Sequence, residues 1–186
     1  MVPLTSLLLP VLLGAVFVFI ASSLLHMFLG YHGADHRTLP SEDRIAEALR
    51  AFDIPPGDYM LPRPASMAAM RTEEHKAKLR SGPVAVLTVM KPGLPQMGAH
   101  LTQWFLYSLV VDVFAAYIAG RALGPGAPAL QVLRFAGTTA FIAYAVALWQ
   151  DSIWYKRAWG TSIRYTIDGL VYGIVVGATF AWLWPR

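Results

Sequence analysis

Three sets of polar residues interrupt a chain that is otherwise strongly apolar. Asp112 lies near the middle of one apolar run, and Asp168 lies inside another. A carboxylate in hydrocarbon costs several kcal/mol unless it is paired or protonated, so such residues serve as structural ion pairs, in proton or ion passage, or as contacts to a ligand or another subunit. The third set is His26, His32, Asp35 and His36, crowded into one short stretch. Imidazole with carboxylate is a donor set suited to Zn, Fe or Cu. Gly30 and Gly33 break helical spacing there, and only the isolated His75 and His100 stand elsewhere, so no bound metal is expected. The chain has no cysteine, which removes thiolate ligands, thiolate nucleophiles and disulfides. It also lacks a P-loop, a GxSxG elbow and an HExxH helix.

Partners for the two buried acids follow from helix geometry. If the turn after the second apolar run centres near Pro125, the residue level with Asp112 on the third run is about position 138. Arg134 is then roughly 6 Å away along the helix, within reach of its own side chain. An Asp112–Arg134 ion pair is therefore the expected structural role. For Asp168 the expected neighbours are Arg164, one turn earlier on the same helix, and His26 at similar depth on the first helix. A hydrogen bond locking helices together is the plain reading of that group.

The elements that must hold these residues are read from composition. Of the 186 residues 56% are hydrophobic and 14% charged, against roughly 25% charged in soluble domains. Four apolar stretches, 4–30, 97–122, 129–150 and 160–184, each reach the ~20 residues that cross a bilayer. Ahead of the first there is no Lys or Arg and its apolar length exceeds that of a cleaved signal, so it is expected to be a retained helix, bent at Pro10. The turn at 123–128, LGPGAP, and the short connection at 151–160 make the last three helices antiparallel neighbours. Within the fourth, Gly169, Gly173, Gly177 and Ala181 recur every four residues and form a row against which another helix can pack closely, either within the chain or from another subunit.

Residues 31–96 are polar and form an α+β insertion. Ser41 is the expected N-cap of a helix carrying Ile45, Leu49 and Phe52 on one face. A second helix is expected over 67–80 with Ser66 as its cap. The β-branched run 84–90 reads as a strand pairing with 59–61, and a hairpin of that size needs support from the bundle or a partner. Methionines in and beside this region, among them Met60, Met67, Met70, Met90 and Met97, read as adaptable packing rather than copper ligands.

Charge gives the orientation. Arg37, Arg44, Arg50, Arg63, Arg71, Lys76, Lys78, Arg80 and Lys91 lie in the first loop, and Lys156, Arg157 and Arg164 lie on the same side. Arg121, Arg134 and Arg186 lie on the other. The positive-inside rule then places both termini outside and 31–96 in the cytoplasm. Trp104, Trp149, Trp154 and Trp159 mark the inner interface, and Trp182 and Trp184 the outer one. The net charge of +4 is thereby an orientation signal, and no nucleic-acid partner is expected.

From the third helix onward, SIWYKRAW followed by IDGLVYG and a terminal AWLWP resembles the end of a family of small four-helix bacterial membrane proteins, the domain of unknown function DUF1761. That resemblance implies a helical bundle and transfers no catalytic residue. The expected class is an all-α integral membrane protein, a four-transmembrane-helix bundle with a small cytoplasmic α+β insertion, in the bacterial inner membrane. Its expected role is an accessory or structural subunit packed against other membrane proteins or its own copies, with bound lipid and no cofactor. An oligomeric transporter or channel using the intramembrane carboxylates is the alternative, and a metal-dependent membrane enzyme built on the histidines is a third.

Overall fold

The computed structural model describes all residues, Met1–Arg186. In chain order its elements are α1 (Leu8–Met27), α2 (Glu42–Arg50), β1 (Gly57–Leu61), α3 (Glu73–Ser81), β2 (Ala85–Val89), α4 (Met97–Ala122), α5 (Ala129–Ala145), α6 (Trp149–Trp154) and α7 (Trp159–Trp182). They divide into two units, Met1–Arg37 with Gln96–Arg186, and Thr38–Pro95. The insertion is thus shorter than the polar stretch in the sequence, because the segment before Thr38 folds with the long helices.

Four helices are long and apolar enough to cross a membrane: Leu4–Met27, Met97–Ala122, Ala129–Trp154 and Trp159–Trp182. They form a ring in which α1 touches α4 and α7, while α5 touches the same two from the other side. The core is built mainly of small aliphatic side chains, with Leu7, Val18, Ala115, Ala119, Val132, Ala136, Ala140 and Val176 fully buried beside the aromatic Phe180. Pro10 does not fall in mid-helix. A 3-10 turn at Leu4–Leu7 precedes α1, so the proline falls in the first α turn, where a missing N–H leaves nothing unpaired.

The most extensive helix contact runs between α5 and α7. A Cβ added at Gly173 would lie 2.8 Å from the Gly137 carbonyl oxygen, and one at Gly177 would lie 2.8 Å from that of Leu133. At Gly169 it would meet the Ala145 Cβ at 2.7 Å. All are inside van der Waals contact, so these backbones touch where only hydrogen fits, and the row on α7 is filled by a helix of the same chain. Ala181, at the end of the row, is half-buried against the core. One end of the bundle is then sealed by the main chain. Val2 N–H donates to Gly120 at 2.8 Å, Gly126 N–H to Pro185 at 2.8 Å, and the Trp184 indole to Gly124 at 3.0 Å.

In the second unit β1 and β2 pair antiparallel, with Tyr59 opposite Leu87 and Asp58 opposite Thr88. The Thr88 hydroxyl donates to the Asp58 carboxylate across that pair at 2.7 Å, a contact that fixes register. The helix expected over 67–80 is split. Ser66 caps only a 3-10 turn at Ala69–Arg71, because Thr72 turns extended and caps α3 by accepting from His75 N–H at 3.3 Å, with Glu73 and Glu74 in its first turn. Ser41 does not cap α2: its backbone is left-handed and its hydroxyl bonds to no helix N–H.

Candidate functional site

The end of the bundle away from the main-chain seal is built around histidines. His26 sits on the last turn of α1, and its Nδ1 meets the Ser22 carbonyl at 3.1 Å. Past the helix, Gly30 takes a left-handed conformation (φ 63) that reverses the chain into a 3-10 turn at Tyr31–Ala34. The reversal lays His32 face to face on His26, ring centroids 4.2 Å apart and planes within 12°. Tyr165 of α7 closes on His32 at 5.3 Å and carries the Arg157 guanidinium over its ring at 5.2 Å.

Beneath the two imidazoles lies Asp168 of α7, 1% exposed. Its Oδ2 is 2.9 Å from His32 Nε2 and 4.0 Å from His26 Nε2. Although the first separation is short, an N–H in the ring plane would miss the oxygen, so His32 Nε2 and both Asp168 oxygens are buried without a hydrogen bond. On the other side of the ring, His32 Nδ1 meets Asp35 Oδ2 at 2.6 Å. Asp35 is in turn gripped by Arg164, whose Nε donates at 2.7 Å. Burial pushes the Asp35 carboxyl up, but hydrogen bonds from His32, Arg164 and Thr161 and the guanidinium charge outweigh it and hold the group below its ordinary value.

Next to this cluster, a cavity of about 510 Å³ opens between α1, α4, α5 and α7. Its wall is largely apolar and aromatic, with Met27, Leu101, Trp104, Tyr107, Tyr144, Leu148 and Tyr172, while His26 and Asp168 stand at its polar edge. The Trp104 indole donates to Ser22 at 2.8 Å and is fixed. By contrast, the Tyr144 and Tyr172 hydroxyls are buried with no partner. Buried hydroxyls are rarely left unpaired, and these two border a space able to hold a ligand.

The residues singled out in the sequence fall into place unevenly. His26, His32 and Asp168 come together, and Asp35 stands behind His32, whereas His36 is exposed and makes no contact with the cluster. Arg164 pairs with Asp35 and not with Asp168. The expected Asp112–Arg134 pair does not form. On α5 the buried face carries Val132, Ala136, Gly137, Ala140 and Tyr144, and Arg134 points off it by about 200° from Val132, into the open. Asp112 is fully buried and packs its carboxylate on Gly14 of α1, with no hydrogen-bond partner for either oxygen. Sequence reasoning missed Tyr144, Tyr172 and Trp104 as a group. Their only common signal is a polar atom on an otherwise helix-packing aromatic. No protein-family model, curated protein or solved structure matches the chain, and none brings a residue to this site.

Proposed function

We propose that this is a multi-pass membrane protein that binds one amphipathic small molecule, its apolar body in the cavity against Trp104 and Leu101 and its polar end at Tyr144, Tyr172 and the His26–Asp168 edge. The observation that carries this reading is the pair of buried, unpartnered tyrosine hydroxyls in the wall of a largely apolar cavity. Membrane residence is supported by the outward stripe Ile163, Ile167, Leu170 and Ile174 on α7, each about half exposed, which in water would be a large apolar patch. Lys156 and Arg157 beside the cluster favour the cytoplasmic side for that end and for Thr38–Pro95.

Passage of ions through a single chain draws less support. Beyond Asp112 the core toward the sealed end is mostly Ala115, Ala119, Leu7, Val11, Val132 and Phe180, and the buried Thr179 there spends its hydroxyl on the Val175 carbonyl of its own helix, so no titratable group continues a path. An accessory role among other membrane proteins would use the outer faces of the helices, since the glycine row is already occupied by α5. The test is to purify the protein in mild detergent, extract it with organic solvent and identify what is released by mass spectrometry. About one amphipathic molecule per chain is expected, and Leu101→Trp, which fills the cavity, should abolish it. Recovery of only bulk lipid, in equal amounts from both proteins, would defeat the reading.

A further inference from the structure

We propose that His26, His32 and Asp168 form a binding site for a divalent transition-metal ion of the zinc class, with Asp35 and Arg164 as its supporting shell. The inference goes beyond the cavity reading and stands whether or not the cavity holds a ligand. One donor atom from each of the three residues lies within 4.8 Å of the others. Around a tetrahedral zinc with bonds of about 2.0–2.1 Å, donor atoms stand about 3.3 Å apart. The two separations from Asp168 Oδ2, 2.9 and 4.0 Å, bracket that value.

Tautomers point the same way. A metal-binding histidine has its second ring nitrogen committed to an acceptor, which fixes the ring and leaves the other lone pair for the ion. Here both rings are so arranged: His26 Nδ1 on the Ser22 carbonyl and His32 Nδ1 on Asp35. Each Nε2 is therefore the free donor atom, and each lies toward Asp168. His32 Nε2 and the Asp168 oxygens are buried with nothing bonded to them, and an ion between them would satisfy all three. Charge agrees as well. Arg164 pairs with Asp35, which leaves Asp168 facing the two imidazoles with no Arg or Lys bonded to it. Two imidazoles with one carboxylate select zinc, iron or cobalt over calcium or magnesium, which prefer oxygen alone. Two adjustments are required. The parallel rings cannot both hold one ion in plane, so His26, whose side chain is 41% exposed at the helix end, must turn. Three protein ligands also leave a fourth position, which opens toward the cavity that His26 and Asp168 border.

The experiment uses the full chain in detergent, stripped with chelator and titrated with zinc chloride against a competing chromophoric chelator. One zinc per chain is expected, with affinity reduced about 100-fold or more by His32→Ala and by Asp168→Asn, and about 10-fold to 100-fold by Asp35→Asn. His36→Ala, which removes a nearby exposed imidazole, should leave affinity unchanged. Should Asp168→Asn fail to fold, His26→Ala alters a partly exposed group and should still weaken binding at least about 10-fold. No zinc bound by the wild type, or equal binding by wild type, His26→Ala and His32→Ala, would overturn the proposal. Solvent extraction of the same preparation reads the cavity's occupant independently, so the two readings fail separately.

Discussion

Asp112 and Asp168 are both buried acids on long apolar helices, yet the structure treats them oppositely. Around Asp168 the chain spends a left-handed glycine, a 3-10 turn and the side chains of His26, His32, Asp35 and Arg164 to bring polar atoms to one carboxylate. Around Asp112 it supplies the bare backbone of Gly14 and no group that hydrogen-bonds the carboxylate. Burial alone therefore does not mark a site in this bundle. What distinguishes the two is whether the neighbouring segment is shaped to present complementary groups.

The largest way to break that contrast is Asp168→Ala. Removing one member of a buried charged cluster leaves the others uncompensated, and a loss of about 3 kcal/mol in thermal or denaturant unfolding in detergent is expected. A loss no larger than that of Asp112→Ala would erase the distinction. Asp35→Asn comes next, at about 2 kcal/mol, because it removes charge-assisted hydrogen bonds to His32 and Arg164. Here the pH dependence gives a sign. Asp35 is held below its ordinary 3.8, so its contribution is complete above that value and disappears as the pH falls through its lower folded value. Unfolding measured from pH 7 down to about 3 should therefore show a smaller acid loss in Asp35→Asn than in the wild type.

Gly14→Ala probes the other region. Its Cβ would collide with Asp112 Oδ2, an overpacking cost of about 2 kcal/mol, offset by about 1 kcal/mol of helix propensity. The net loss should be about 1 kcal/mol in unfolding experiments and should change sign in an Asp112→Ala background, where the collision is gone. Additive behaviour of the two substitutions would show that Asp112 does not rest on Gly14.

How much of this was legible in the sequence follows from the same pair of regions. Hydropathy located all four long helices, and the second coincides with 97–122 from end to end. The hairpin was visible in the β-branched run at 84–90 and its bounding prolines. Depth along a helix was also readable, which is why His26 and Asp168 were expected at one level. Azimuth was not. Arg134 is at a workable height for Asp112 but on the wrong face, and that face is decided by which small residues α4 and α7 press against. Nor does any local pattern tie His32 to a residue 136 positions away. In the sequence Gly30 reads as an interruption of helical spacing, whereas in the fold it is the reversal that builds the site.

The smallest effect is the one that tests the comparison most sharply. Asp112→Asn keeps the shape of the side chain and changes only its charge and one donor. If no cation, ion or second chain faces Asp112, nothing is lost that an amide cannot replace, and stability should move by no more than about 0.5 kcal/mol. Purified protein in proteoliposomes should likewise pass no protons in either form, because the core from Asp112 to the sealed end holds no titratable side chain and its one buried hydroxyl, Thr179, is bonded within its own helix. A loss of several kcal/mol, or a proton flux that Asp112→Asn abolishes, would mean that the carboxylate meets a partner supplied from outside the single chain. The polar end of the bundle would then be one of two working regions.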